Sequence, residues 1–458
     1  MWSLRVHSWQ RTLIVFGAVL ELWALSSVIW PPGENIPRHV ALFLAAWVCY
    51  AAAIRIVLSL QPASLARDLL LIFGLAALLR ATLLFTSPTL SDDVFRSIWD
   101  ARLMHAGVNP YLYPPAAEEL APYRDDVVWP RVNAQNQRTP YLPLAELSGA
   151  LAYAVLPERA VAFQALAAAA DLLSAVLLAW LLRRVGLDPR RSIVVAWSPA
   201  GVLHFAHSAH NDSLMVAFLV AAALLLTFGR RWLSIAALTC AAMIKAVPGL
   251  AGPAFLRRTG WTSFLFGVAT AGAIWAPFAS AGTSALSGLI EEGNEARFND
   301  SFHWVMELAF SGLLGEGGNL IASAVGFAIV LTVSLVLVRY ATSPLGSLMA
   351  GSRALGTYVL VAAAVQPWYV AWLGPLMAVS LRAGPGHKLF APTDGVAWLW
   401  FGGASVLTDL TYLAGGSAQW PLIRAVEYLP LYALLGIAVL AGRHQGPGSA
   451  TEQEEPQL

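Results

Sequence analysis

Two adjacent carboxylates, Asp92 and Asp93, stand directly after an apolar segment in Ser91-Asp92-Asp93-Val94-Phe95-Arg96. Charge beside a bilayer is costly to keep, so a pair there marks a functional-site hypothesis, and taking a proton from a hydroxyl is chemistry a carboxylate can do. Arg96, Arg102, Arg131 and Arg138 share the same polar stretch and could hold a phosphate. Asn109-Pro110-Tyr111 and Thr139-Pro140-Tyr141-Leu142-Pro143 are turns stiffened by proline, and their tyrosines offer planar faces and hydroxyls suited to sugar rings. A plainer reading uses the same residues. Ser91 would cap a helix, Asp92, Arg96 and Asp100 would share one face at i, i+4 and i+8, and Phe95, Ile98, Trp99 and Leu103 would lay it on the membrane surface. On spacing alone both readings stay open.

Other chemistry-bearing residues are scattered downstream. His204, His207, His210, Asn211 and Asp212 fall within nine residues. Spacing of i, i+3 puts two histidines on one side, but i+6 rotates away on an unbroken helix, so lining a polar cavity fits better than binding a metal. Asn211-Asp212 also suits a helix cap. Lys245, deep in an apolar run, has no local partner; a lipid-linked phosphate would satisfy it, and so would reaching to an interface. Gln366-Pro367-Trp368-Tyr369 marks an aromatic turn, and residues 298–304 form a polar, aromatic loop that could cover a cavity. No Walker loop, nucleotide-binding glycine motif, HExxH, GxSxG or CxxC occurs. An enzyme of this composition needs a donor already in the membrane.

The elements that must position these residues are membrane helices. The chain has 458 residues, of which 58% are hydrophobic and 12% charged, with a mean hydropathy of +0.63. A soluble domain carries roughly 25% charged residues. The 18 Trp and 12 Tyr suit two interfacial belts. Net charge is +1, which gives nucleic-acid binding no support, and Cys49 and Cys240 lie in apolar runs as packing residues. The first apolar stretch contains Glu21, ends in Trp30-Pro31-Pro32 without a small-residue cleavage site, and reads as a retained helix.

Apolar runs place spans near 12–30, 39–60, 68–87, 159–182, 192–207, 211–229, 261–280, 317–339, 346–365, 368–381, 393–413 and 421–442. Arg5, Arg11, Arg67, Arg183/Arg184, Arg190/Arg191, Arg230/Arg231, Arg257/Arg258, Arg382, Lys388 and Arg443 flank them, and the positive-inside rule puts these residues and both termini in the cytoplasm. Residues 31–38, 88–158, 281–316 and the 207–212 corner then face outward, with 141–156 an interfacial or re-entrant piece. Arg231 to Arg258 has two cytoplasmic ends, which a helical hairpin breaking near Lys245 would reconcile. The expected organisation is one integral-membrane domain over 1–445 and a disordered cytoplasmic tail over 446–458.

The acidic run, Trp99-Asp100, Arg102, Gly107-Val108-Asn109-Pro110-Tyr111, His210-Asn211-Asp212-Ser213-Leu214-Met215 and Gln366-Pro367-Trp368-Tyr369 together resemble bacterial GT-C glycosyltransferases, nearest the mannosyltransferase-like group related to the catalytic subunit of GPI mannosyltransferase I. The resemblance covers roughly residues 68–380. It implies an all-α polytopic bundle of about 12 (11–14) transmembrane helices with a large extracytoplasmic first loop carrying interfacial helices. It implies inverting transfer of a hexose, usually mannose, from a polyprenyl-phosphate sugar to a lipid or glycan acceptor, in a bacterial inner membrane. Carried over by motif, Asp92 or Asp93 is the general base. Arg96, Arg102, Asn109, Tyr111, Tyr141, His207, His210, Asn211, Asp212, Lys245, Gln366 and Trp368 are the candidates for binding substrate and phosphate. No cofactor is obligatory, and a divalent metal (Mg or Mn) is left open. Related chains often read Tyr-Pro-Pro where this one has Tyr141-Leu142-Pro143, and often space their acidic pair, so the choice between the two aspartates stays open too. The rival functions are a secondary transporter or lipid-linked-sugar flippase, and a noncatalytic membrane subunit.

Overall fold

In a computed structural model the chain folds into 19 α-helices joined by 3-10 turns; the described residues are 8–61, 64–385, 389–414 and 421–444. The expected tail and Lys388 lie outside them. Among the described residues six helices are long and apolar enough to cross a membrane: Trp9–Ile29, Ile36–Ser59, Ala160–Arg184, Thr262–Gly293, Gly318–Tyr340 and Pro421–Gly442. The chain is a polytopic membrane protein.

Local chemistry sets the helix ends. Asn35 accepts from the Arg38 amide at the start of Ile36–Ser59, where Pro37 suits the first turn. Arg183 and Arg184 end the 25-residue helix Ala160–Arg184, where cations meet the negative end of the dipole. The shorter apolar helices Asp212–Thr227 and Arg231–Ile244 pack side by side, and the first also packs along Ala160–Arg184.

Three sequence expectations meet structure in an instructive way. The run Arg231 to Arg258 does break at Lys245, which is extended at φ −149° and ψ 134°, and helix Gly252–Thr259 packs back on Arg231–Ile244. The segment expected to span 192–207 is instead three fully buried pieces, Ile193–Ala196, Pro199–Gly201 and a π-helical turn over Val202–His207. Broken backbone is tolerated at membrane depth when protein surrounds it. The segment expected not to cross, 141–156, is the helix Pro143–Val155, whose 13 residues are too few to span. It packs on the Asp93–His105 helix. The apolar stripe of that second helix does not lie on the membrane surface. Phe95, Ile98, Trp99 and Leu103 are buried in a small core with Leu120, Val128 and Val132 of the 88–158 loop and Phe163 of the helix Ala160–Arg184.

The segment 281–316 also carries helices, Ser287–Glu295, which continues the apolar run Thr262–Gly293, and Phe302–Leu314. It docks on the first loop at Gly288, where an added Cβ would come within 2.4 Å of the Arg138 and Thr139 carbonyl oxygens. It docks on residues 363–365 too, through an isolated β-bridge: Phe298 donates to the Ala363 carbonyl (3.2 Å) and accepts from the Val365 amide (2.7 Å).

Beneath the loops, Arg80 joins three elements. Its guanidinium pairs with Asp171, each side chain only 3% exposed, and donates to the Ala76 and Ala196 carbonyls at 2.8 Å. Removing one partner of a buried pair strands the other charge and costs about 3–5 kcal/mol, whereas replacing both with apolar groups is often neutral. Arg80→Met is therefore expected to lower the unfolding temperature sharply in detergent, and Arg80→Met/Asp171→Leu to recover most of the loss. A double variant no more stable than the single would refute this account.

Candidate functional site

The polar residues singled out above divide into those locked in scaffolding and those that converge on one corner. Arg96 belongs to the first set. It is buried, bonds Asp100 at 3.0 Å and donates to the Ala134 and Gln137 carbonyls. Glu146 joins this network by accepting from the Thr139 hydroxyl at 2.6 Å. Burial and the neighbouring Asp100 push the Glu146 carboxyl well above the usual carboxylate range. Arg102 is taken up by Asp125, Glu158 and the Tyr123 carbonyl. Arg131 lies over the Phe95 ring, and Arg138 donates to the Leu112 carbonyl. The guanidinium groups that sequence offered for a phosphate are thus engaged in holding the first loop together.

Asn109 and Tyr111 are similarly occupied. Asn109 donates to the Phe278 carbonyl and the Ser280 hydroxyl, tying the two outer loops. Tyr111 is buried against Trp275 and Phe278, with its hydroxyl on the Tyr141 carbonyl at 2.8 Å. Its ring faces protein. His207 is buried and bonds Thr86 (2.7 Å) and Thr89 (3.3 Å), pinning the π-helical turn to the entry of the first loop.

The convergent set centres on Asp93. One carboxylate oxygen accepts from the Asn133 side-chain amide at 2.7 Å, and the other lies 3.6 Å from Nδ1 of His210. The Asp93 side chain is 33% exposed, so a substrate can reach it. Asp92, at the cap position, is exposed and its side chain makes no capping hydrogen bond. His210 stacks on Trp368 with ring centroids 3.7 Å apart, and His204 lies 5.6 Å from the same indole. Sequence spacing put His204 and His210 on different sides of a regular helix; the wider π turn and the left-handed Ala209 (φ +62°) bring their rings within 6.2 Å. Burial lowers the His210 pKa, and Lys245 adds to that while Asp93 and Asp212 oppose it, so the imidazole is neutral near pH 7.

The third wall is cationic. Lys245 donates to Asp212 at 2.8 Å, and Asp212 also accepts from the Trp372 indole at 2.7 Å. The ammonium lies 4.5 Å from the Tyr369 ring centroid and 5.0 Å from that of Trp372. Its side chain is 28% exposed while Asp212 is 2% exposed, so the lysine is the accessible member of the pair and the carboxylate is covered. Asn211 precedes Asp212 at the helix start, and Gln366 and Tyr141 are half-buried. Tyr141 lies within the electrostatic field of Asp93. Sequence reasoning missed Asn133, which is 40 residues from Asp93 and carries no spacing signal. It also missed the buried His39–Asp409 pair at 3.2 Å and the role of Trp372.

Three potential metal ligands group together among the described residues, away from Asp93. Asp300, His303 and Glu307 offer atoms within 4.8 Å of one another. Arg424 bonds Asp300 at 2.5 Å and Arg297 lies 3.7 Å from Glu307, so two guanidinium groups already balance the two carboxylates. Burial raises Asp300, but His303 and Arg424 outweigh it and hold the group below the ordinary carboxylate range. This arrangement ties the second outer loop to helix Pro421–His444 without needing a metal for charge balance.

Residues 10–259, more than half of the chain, match the MptA/B family, alpha-(1->6)-mannopyranosyltransferase, N-terminal domain. The chain belongs to this family and is a membrane-embedded mannosyltransferase, within the GT-C mannosyltransferases. No curated protein matches it. The matched segment contains Asp92, Asp93, His210, Asp212 and Lys245; Gln366, Trp368 and Trp372 lie beyond it. Membership in an enzyme family removes the transporter and noncatalytic-subunit alternatives.

Proposed function

We propose that this family member moves mannose from a polyprenyl-phosphate carrier to a hydroxyl of a lipid or glycan acceptor, at the extracytoplasmic face of a bacterial inner membrane. The observation that carries the reading is that a reachable carboxylate from the first loop, Asp93, and a cation 152 positions further along the chain, Lys245, stand at the two ends of one run of rings: Asp93 lies 3.6 Å from His210, His210 stacks on Trp368, Trp368 meets Tyr369 edge-on, and Lys245 lies 4.5 Å from the Tyr369 centroid. Those are the two functions the reaction needs. A base takes the proton of the attacking hydroxyl. As the new C1–O bond forms, the bond from C1 to the phosphate oxygen breaks, and its electron pair leaves with the polyprenyl phosphate. A phosphate leaving group needs no general acid, and the Lys245 ammonium offsets its charge. If mannose is β-linked in the donor, an α-(1→6) product follows from one displacement with inversion.

Topology supports the outward placement. The six long helices, the shorter apolar ones and the broken segments make up a GT-C-like bundle of about 12 crossings, with both termini cytoplasmic by the positive-inside rule. Asp92 and Asp93 open the helix under the first outer loop, and aromatic residues from the 366–372 turn line its other side. Grooves between helices would take the prenyl chain.

Purified protein in detergent, given radiolabelled polyprenyl-phosphate mannose and a synthetic α-mannoside, is expected to form an α-(1→6)-linked product, and to do so in EDTA. GDP-mannose as donor is expected to give none. Transfer from GDP-mannose alone would overturn the donor assignment. Activity lost in EDTA and restored by Mg or Mn would overturn the metal-free scheme.

A further inference from the structure

We propose that His210 is a positioning residue for Asp93: it orients the carboxylate from behind and does not itself touch substrate. The inference rests on the reading of Asp93 as base and separates it from its neighbour Asp92.

The two aspartates differ in how they are held. Asp93 lies between two side chains on opposite oxygens, Asn133 at 2.7 Å and His210 at 3.6 Å, and its backbone amide donates to the Ser91 hydroxyl at 3.3 Å. Asp92 has no such side-chain clamp among the described residues, and its side chain makes no capping hydrogen bond. A general base must be fixed as well as reachable, because misplacement of about 1 Å can cost roughly 10²-fold. Only Asp93 meets both conditions.

The imidazole is itself fixed, at a cost. It is 6% exposed and stacked flat on Trp368, with the planes 21° apart. The chain reaches it through a π-helical turn and a non-glycine residue in the left-handed region, Ala209. Backbone in such conformations is strained and persists where the surroundings over-determine it. What this one delivers is Nδ1 facing Asp93.

Which partner takes the substrate proton follows from access. Nε2 of His210 is fully buried and has no hydrogen-bond partner among the described residues, so an acceptor hydroxyl cannot reach it, whereas Asp93 is one-third exposed. The neutral ring therefore presents Nδ1–H to the carboxylate. The 3.6 Å separation is longer than a hydrogen bond, and catalytic contacts of this kind often tighten only when substrate is bound.

The test uses full-length protein and labelled polyprenyl-phosphate mannose with the synthetic mannoside. His210→Phe keeps a flat ring against Trp368 and removes the donor; kcat is expected to fall roughly 10- to 100-fold, with little change in donor KM. His210→Asn puts an amide N–H near the Nδ1 position and is expected to recover most of that loss. In an Asp93→Asn background, His210→Phe is expected to add almost nothing, because its effect passes through the carboxylate. Full additivity of the two substitutions, or equal loss in the Phe and Asn variants, would overturn the proposal while leaving Asp93 as base. Full activity of Asp93→Asn would instead remove the base assignment on which it stands. Unfolding temperatures of all variants, expected to stay within a few degrees of the parent, separate these outcomes from misfolding.

Discussion

Asp93→Asn is expected to reduce mannosyl transfer by roughly 10²–10⁴-fold with the protein still folded, while Asp92→Asn stays within about tenfold of the parent. Asparagine has the same shape and can still accept from Asn133, so the fold around the helix start is kept and only the basic charge is lost. Because Asp93 is partly exposed and has no buried cation as partner, its neutralisation leaves no stranded charge. The loss should therefore be in kcat, with donor KM and unfolding temperature close to the parent. Asp92, at the cap of the same helix, contributes through the dipole alone, an effect worth about 0.3–1 kcal/mol. Steady-state rates with both single variants decide the matter. A large loss in Asp92→Asn with a normal Asp93→Asn would reverse the assignment; normal rates in both would place the base elsewhere.

What was legible beforehand divides along a physical line. Helix positions could be read because lipid demands long apolar runs, and the break at Lys245 could be read because two arginine-bearing ends had to share one face. The candidate site was legible only where its residues carry chemistry in sequence: the aspartate pair, His210, Lys245 and Trp368. The partners of charged groups were not legible. Arg96 and Arg102 look like phosphate ligands until the loop closes and their guanidinium groups meet Asp100, Asp125 and Glu158. Such pairings depend on contacts tens of residues apart, as does Asn133 on Asp93. The π-helical turn was hidden for a different reason. Its extra residue per turn is a response to packing, with no propensity signature of its own, and together with the left-handed Ala209 it brings His204 beside His210.

Lys245→Met is expected to be the other severe substitution, and two separable effects are folded into it. The thioether keeps an unbranched stem against Tyr369 and Trp372, so packing changes little. The charge is lost, and Asp212, 2% exposed, is left with the Trp372 indole as its remaining hydrogen-bond donor. A carboxylate stranded this way destabilises a protein by several kcal/mol, up to about 3–5 where the pair is fully buried. The partial exposure of the lysine argues for the lower part of that range. Catalysis suffers independently. Without the ammonium the departing phosphate loses its fixed cation, which is worth roughly 10²–10³ in rate where a single preorganised donor has been removed. Lys245→Met/Asp212→Asn tells the two apart. Asparagine at 212 still accepts from Trp372 and carries no charge, so the unfolding temperature should return toward that of the parent. Transfer should stay as low as in the single variant, because the accessible cation is still missing. If the double variant regains both stability and turnover, Lys245 serves only to neutralise Asp212, and the leaving phosphate must be met by another group.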